Sequence, residues 1–150
     1  LVADRFDDAV AGARAAAEAG LLPVKVNAVL VRGVNDAQAV RLVAEALASG
    51  YELRFIEQMP LDAGHTWRRD AMVTAAETMA RLSEYFTLTP LPGRGAAPAE
   101  RFLVDGGPAT VGIIASVTAP FCGACDRLGS CATACSPRRN PTCAPRCEAV

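Results

Sequence analysis

The 150-residue sequence has no long apolar run and no excess of charge of either sign. The ~18 consecutive apolar residues that a membrane span needs do not occur. The 15 basic and 16 acidic residues give a formal net charge of −1. A chain with such balanced charge has no field that would attract nucleic acid or an anionic membrane surface. We therefore expect no nucleic acid and no membrane among its partners, and a small molecule instead.

The N-terminal segment shows neither an initiator methionine nor the basic-then-apolar layout of a signal peptide. It opens directly into a helical pattern, "LVADRFDDAVAGARAAAEAG". We therefore expect a cytoplasmic chain that is a fragment of a longer protein. A hydrophobic content of 51% with 21% charged residues is typical of a globular domain with its own core.

The sequence has a single histidine and no cysteine in its first 121 residues. His65 is the only histidine and lies in the polar stretch "LDAGHTWRRD", where no Ser-His-Asp arrangement can be built around it. Cysteine is absent before Cys122, and all six cysteines occur from there to Cys147. In a reducing compartment such a group favours metal ligands or reactive thiols over disulfides.

The apolar spacing predicts an α/β fold. Helices are predicted over 3–19, from Asn35 or Asp36 to Gly50, and over 71–86. In the third helix five residues are expected to face inward: Met72, Ala75, Ala76, Met79 and Leu82. Strands are predicted at 23–31, 52–60, 88–91, 101–104 and 110–117.

The order of these elements predicts how the strands pair. Strand–helix–strand order implies parallel strands, whereas the short loops between the later strands allow antiparallel pairing. About three parallel strands are too few to close a barrel. We therefore expect the second half of a TIM-like barrel, with the remaining strands upstream.

Functional residues of such folds lie where the strands end. The first strand offers Lys25 with Asn27, the second offers Arg54 with Glu57 and Met59, and the cysteine loop follows Val117. Each of these residues can instead have a purely structural role. Lys25 can be a solvated residue, Arg54 and Glu57 can form an ion pair, and Met59 can fill the core.

Cys122 and Cys125 form a CxxC motif in "PFCGACDR". This spacing places two thiolates on one metal ion or cluster. The later cysteines provide only Cx3C spacings, which do not complete a zinc ribbon. A thioredoxin-like pair would open a helix after the first strand of its fold, whereas this motif follows the last strand.

Three segments, "VKVNAVLVRGVND", "ELRFIEQMP" and "FCGACDRL", together resemble the C-terminal half of one enzyme family. These are the GTP 3′,8-cyclases, radical S-adenosylmethionine enzymes known as molybdenum cofactor biosynthesis protein A. The resemblance covers residues 1–128. It implies the C-terminal half of an incomplete TIM-like (βα)6 barrel over 1–91, and C-terminal strands with an auxiliary iron–sulfur cluster loop over 92–128.

The resemblance also implies roles for single residues. Lys25, Arg54 and Arg127 match residues that contact GTP, and Met59 matches one that lies against S-adenosylmethionine. A lysine is a compact point charge for phosphate, and an arginine offers a planar fork of donors to phosphate or ribose oxygens. GTP and S-adenosylmethionine are therefore the implied partners, and the resemblance admits a homodimer.

Cys122 and Cys125 match two of the three thiolates that hold an auxiliary [4Fe–4S] cluster, whose open iron binds the guanine. The complete enzyme uses S-adenosylmethionine and a second [4Fe–4S] cluster held by an upstream CxxxCxxC motif, which this chain lacks. The implied reaction converts GTP to (8S)-3′,8-cyclo-7,8-dihydroguanosine 5′-triphosphate. A 5′-deoxyadenosyl radical removes hydrogen from C3′ of GTP, and the C3′ radical attacks C8. We expect the chain alone to be inactive.

The tail from Gly129 to Val150 departs from the family. It has no Leu, Ile, Phe or Met, so it has almost nothing to bury, and Gly129 stands where the family has a second arginine. We interpret residues 129–150 as an aberrant or disordered Cys/Pro-rich segment, typical of a reading frame translated out of register. In the alternative interpretation Cys135 or Cys143 supplies a third thiolate.

Two other functions stay open. One is a cysteine-rich module that binds zinc or a redox cluster through Cys122, Cys125 and tail thiolates. The other is a different radical S-adenosylmethionine enzyme with an auxiliary cluster, which would need the cysteines but neither Lys25 nor Arg54.

Overall fold

The structure, a computed structural model, describes residues 5–60 and 67–120. Short 3-10 turns at Asp36–Gln38 and Arg69–Ala71 precede the second and third helices. Within the described residues the elements in chain order are α1 (Phe6–Glu18), β1 (Lys25–Val29), α2 (Ala39–Ala48), β2 (Glu52–Ile56), α3 (Ala75–Ser83), β3 (Leu88–Pro90), β4 (Glu100–Val104) and β5 (Thr110–Ile114).

Two glycines end α1 and α2 at the predicted positions. Gly20 and Gly50 adopt φ values of 77° and 69°, the left-handed conformation that costs glycine little. In each case the next residue donates to a carbonyl of the last turn, as Leu21 N does to Ala16 O and Tyr51 N to Ala46 O. Both helices therefore end in a Schellman motif.

The start of α3 differs from the prediction, which placed it at residue 71. Thr74 is the N-cap: its hydroxyl accepts from Glu77 N at 3.1 Å, and its own N–H donates to Glu77 Oε2 at 2.9 Å. This reciprocal capping box fixes the first turn at Ala75. Met72 is buried as predicted, but it lies in the extended segment before the helix.

The five strands of the described residues form one mixed sheet in the order β1-β2-β5-β4-β3. β1 pairs parallel with β2, and β2 pairs parallel with β5. β4 pairs antiparallel with both β5 and β3. The α/β class, the parallel β1-α2-β2 unit and the antiparallel later strands are thus confirmed, and the half-barrel stays a prediction.

One face of the sheet packs against α2 and α3. Leu53 and Phe55 of β2 alternate with more exposed residues and meet Val43 of α2, Leu82 of α3 and Val111 of β5 in one buried cluster. Leu82 is fully buried, with 0% of its surface exposed. Alternation along β2 therefore assigns one set of side chains to the core and the other set to the opposite face.

Helix α1 contributes nothing to this core. None of its residues is buried, and Phe6 and Val10 are 64% and 40% exposed. Within residues 5–60 and 67–120, no helix is both long and apolar enough to cross a bilayer.

Candidate functional site

Three of the polar candidates predicted from the sequence, Lys25, Asn27 and Arg54, lie on the face of the sheet opposite α2 and α3. Lys25 of β1 is in register with Glu52 of β2, and Asn27 is in register with Arg54. Residues opposite each other in adjacent strands project from the same face. Leu53 and Phe55 face the core. The other face, which we call the polar face, therefore carries Lys25, Asn27, Glu52 and Arg54.

Arg54 forms an ion pair with Glu52 on this polar face. Its Nε and Nη2 atoms both donate to Glu52 Oε1, at 2.9 and 2.6 Å. The two side chains are 20% and 12% exposed, so the pair is largely shielded from solvent. The predicted alternative, an Arg54–Glu57 ion pair, is wrong because the two residues project from opposite sides of the strand.

Lys25 and Met59 are accessible. Lys25 is exposed and has no ion-pair partner among residues 5–60 and 67–120. Met59 follows the end of β2 and is 39% exposed, so it does not fill the core. The described part of the chain brings Lys25 and Arg54 onto one face. The expectation that these candidates lie where the strands end at their carboxyl side is wrong for Lys25, which is the first residue of β1, whereas Met59 follows the carboxyl end of β2.

The remaining predicted site residues, Cys122, Cys125 and Arg127, lie outside the described residues. So does His65. Among the residues that are described, no group of three or more His, Cys, Asp or Glu side chains could hold a metal ion. The assignment of the two cysteines as cluster ligands stays a prediction, and the chemistry of two thiolates at CxxC spacing fits an iron–sulfur cluster.

Glu57 has a role that the sequence did not reveal. Only 4% of its surface is exposed, and its carboxylate accepts four hydrogen bonds. Oε1 accepts from Ala75 N at 2.8 Å and from the Thr118 hydroxyl at 2.6 Å. Oε2 accepts from Val117 N and Thr118 N, both at 2.8 Å. Although burial raises its pKa, these hydrogen bonds, led by that of the Thr118 side chain, bring the pKa below its usual value.

The Glu57 contacts join three parts of the fold. They connect the carboxyl end of β2 to the first turn of α3 and to the segment after β5. The Ser116 hydroxyl adds a hydrogen bond of 3.1 Å to the Glu57 carbonyl. Glu57 thus fixes the chain at residues 116–118, shortly before the CxxC motif in the sequence.

A second polar cluster joins the loop after β1 to the segment before α3 and to its first turn. Arg32 donates to the carbonyls of Asp70 and Met72, both at 3.2 Å, and to Glu77 Oε1 at 2.7 Å. The Thr74 backbone N–H, Arg32 and the Thr74 hydroxyl lower the pKa of Glu77 to about 2. The Nε and Nη2 donors of Arg32 reach two loop carbonyls and the carboxylate that caps α3, so these contacts hold the start of α3.

The polar face has the charges needed to bind an anion. Lys25 and Arg54 place two cations on adjacent strands, and Glu52 balances only one of them. Within the described residues, Nη1 of Arg54 has no hydrogen-bond partner, so it can donate to a ligand while Nε and Nη2 hold Glu52. Charge-assisted hydrogen bonds of this kind suit phosphate oxygens.

Residues 51–133 match the protein family described as Molybdenum Cofactor Synthesis C. The chain is 60% identical over 126 residues to the GTP 3′,8-cyclase of Streptomyces coelicolor, a match that covers 83% of this chain and 37% of that relative. It is 58% identical over 134 residues to the GTP 3′,8-cyclase of Paenarthrobacter nicotinovorans, and this match covers 81% of this chain and 38% of that relative. It is 55% identical over 125 residues to the GTP 3′,8-cyclase of Mycobacterium sp. strain KMS, and this match covers 83% of this chain and 36% of that relative. The chain thus spans little more than a third of the length of these curated relatives.

Proposed function

The chain belongs to the Molybdenum Cofactor Synthesis C family, and from this premise we propose that it is the C-terminal part of a GTP 3′,8-cyclase. The resemblance of the three sequence segments to that family is thereby confirmed. In this proposal the chain works in molybdenum cofactor biosynthesis and contributes part of the GTP site. The observation that carries the proposal is the placement of Lys25 and Arg54 on the same face of two adjacent strands, two register positions apart.

The proposed role of this face is to bind the triphosphate of GTP. Lys25 supplies an exposed ammonium group. Arg54 supplies a guanidinium whose orientation is already set by Glu52 at 2.6 Å. A guanidinium oriented before the ligand arrives loses less side-chain entropy on binding, which strengthens each hydrogen bond that it then makes. In this role Arg127 adds a third cation near the CxxC motif.

Cys122 and Cys125 are proposed to hold an auxiliary [4Fe–4S] cluster, and Met59 to lie against S-adenosylmethionine. When bound in the complete enzyme, these groups supply the radical chemistry. The residues of this chain bind and orient GTP. Without the upstream cluster motif we expect the isolated chain to show no turnover.

The half-barrel is the architecture that we propose for the complete protein. β1 pairs with β2 along one edge, and among the described residues no strand pairs with its other edge. The exposed Phe6 and Val10 of α1 lie on the element that precedes this strand. Further strands and helices of a longer protein would continue the parallel sheet at β1 and enclose the polar face.

The test uses a chimera in which this chain replaces the matching 37% of the Streptomyces coelicolor relative. Arg54→Ala should weaken GTP binding about 10- to 100-fold, because a charge-assisted hydrogen bond contributes roughly 1.5–3 kcal/mol. Titration calorimetry measures the affinity. Arg41→Ala is the matched control, since Arg41 forms an exposed ion pair with Glu45 on α2 and should leave binding unchanged. Equal GTP affinity in Arg54→Ala and the parent would remove Arg54 from the site.

A second measurement addresses the cysteines. The double variant Cys122→Ser/Cys125→Ser of the chimera should contain less iron and sulfide than the parent after anaerobic reconstitution. A variant in which the four tail cysteines are replaced together by serine should contain as much iron and sulfide as the parent. Loss of iron only in the tail variant would assign the ligands to the tail instead.

A further inference from the structure

Gly112 lies in the middle of β5, where a glycine is unfavourable. Its neighbours Val111, Ile113 and Ile114 are buried apolar residues of the kind that strands favour. A glycine in a strand adds no packing and loses more backbone entropy than other residues on folding. Gly112 does not adopt a positive φ, so its backbone conformation does not require glycine. The reason for glycine at this position is therefore space.

The side chain of Arg54 occupies that space. Gly112 is the register partner of Arg54 across the parallel β2–β5 pair. A Cβ atom added at Gly112 would lie 2.9 Å from Arg54 Cγ and 3.3 Å from Ala99 Cβ. Two carbon atoms attract best at about 3.5–4.0 Å, so the first of these contacts is strongly repulsive.

The atom that would collide cannot easily move away. Cγ is fixed by the first side-chain torsion of Arg54, so only a different χ1 rotamer or a shift of β2 against β5 relieves the contact. The present rotamer is the one that brings Nε and Nη2 to Glu52 Oε1 at 2.9 and 2.6 Å. A methyl group at position 112 would therefore either turn the guanidinium away from Glu52 or move β2, with the Arg54–Glu52 pair on it, away from β5.

We propose that Gly112 is a positioning residue for the nucleotide site. The missing side chain at 112 lets the aliphatic part of Arg54 lie across β5, while Glu52 holds the guanidinium and leaves Nη1 for a phosphate oxygen. The inference rests on the proposed function, because it assigns Arg54 to the triphosphate of GTP. It adds that this arginine is oriented by a glycine on a strand 58 positions further along the chain.

The experiment measures ligand affinity in the same chimera with Gly112→Ala. We expect GTP to bind about 10-fold more weakly or worse, the loss of one charge-assisted hydrogen bond. Affinity for guanosine, which has no phosphate, should change less than about 2-fold, within the error of such comparisons. The matched control is Gly12→Ala in α1, where an added Cβ meets nothing within 4 Å and φ is not positive. This control should leave both affinities unchanged.

The double variant separates positioning from general damage. With Arg54→Ala already present, Gly112→Ala should weaken GTP by less than about 2-fold, because the colliding Cγ is gone. Equal weakening of GTP and guanosine, or a full further loss in the Arg54→Ala background, would overturn the inference. If Gly112→Ala does not fold, recovery of folded protein in the double variant supports the contact, and no recovery refutes it.

The outcomes also distinguish this inference from the proposed function. If Arg54→Ala weakens GTP and Gly112→Ala does not, the nucleotide site stands and Gly112 has no positioning role. If Arg54→Ala leaves GTP affinity intact, the role of Arg54 in the nucleotide site fails, and the positioning role falls with it.

Discussion

Replacement of Glu57 by glutamine should destabilise the fold far more than its small chemical change implies. The carboxylate is 4% exposed, and both of its oxygens accept two hydrogen bonds. Glutamine has nearly the same shape, but it replaces one oxygen by an amide group that donates. The test therefore changes the hydrogen bonding and leaves the packing almost intact.

The contacts decide which orientation of the glutamine is less costly. An amide nitrogen at the Oε2 position would face two N–H donors, of Val117 and Thr118. At the Oε1 position it would face the Thr118 hydroxyl, which can turn to accept, and the Ala75 N–H, which cannot. One buried N–H loses its acceptor, at a cost of roughly 1–3 kcal/mol, and the other bonds lose the charge of their acceptor. We expect a total loss of about 2–4 kcal/mol.

Chemical denaturation of this chain at pH 7 measures the difference. The matched control is Glu45→Gln, whose side chain is 55% exposed in a surface ion pair and should change stability by less than about 0.5 kcal/mol. A loss in Glu57→Gln no larger than that of the control would refute the argument that Glu57 joins β2, α3 and the segment after β5.

The pH dependence of the same pair of proteins has a definite sign. The folded-state pKa of Glu57 lies below its ordinary value of 4.5. Its stabilisation is therefore complete above about pH 4.5 and is lost as the pH falls through the folded-state pKa. The difference in unfolding free energy between the parent and Glu57→Gln should be constant near neutral pH and should shrink in acid. A difference that grows in acid would contradict this assignment.

Two further perturbations test the capping box and the core. Thr74→Ala should cost about 1 kcal/mol and Thr74→Ser much less, because only serine keeps the hydroxyl that caps α3. Circular dichroism during thermal unfolding compares the two, and equal losses would argue against the cap. Leu82→Ala should cost about 2–5 kcal/mol, since Leu82 is fully buried between α3 and the sheet. Ala80→Gly on the exposed side of the same helix should cost only about 1 kcal/mol, so a larger loss there than at Leu82 would contradict the assigned core.

Local signals in the sequence predicted most of the elements. Glycine after an apolar periodic run predicted the ends of α1 and α2, and both are Schellman motifs in the structure. The apolar spacing predicts the start of α3 too early, because Met72 fits the inward helical period although it lies in the extended segment before the helix. The signal that would have corrected it is Thr74 followed three residues later by Glu77, the sequence pattern of a capping box.

The site was predictable only as far as single strands determine it. The rule that functional residues lie where strands end points to Lys25 and Arg54, although Lys25 begins β1 and Arg54 lies in the middle of β2. Their shared face follows from the register of β1 and β2. Pairing of Arg54 with Glu52 also follows from their spacing of two residues, which puts both on one face. Contacts that join distant parts of the chain, such as Glu57 with Thr118 and Arg54 with Gly112, left no local signal.

Strand β2 connects the stability of the chain with its proposed binding role, since it serves both faces of the sheet. Leu53 and Phe55 anchor it in the core, and Glu52 and Arg54 alternate with them on the polar face. A slip of one residue would bury the ion pair and expose Phe55. Glu57 opposes such a slip: its N–H donates to Ile114 O at 3.2 Å, and its carboxylate holds the segment beyond β5. The position of Arg54 opposite Gly112 therefore depends on the same contacts that keep β2 and β5 in register.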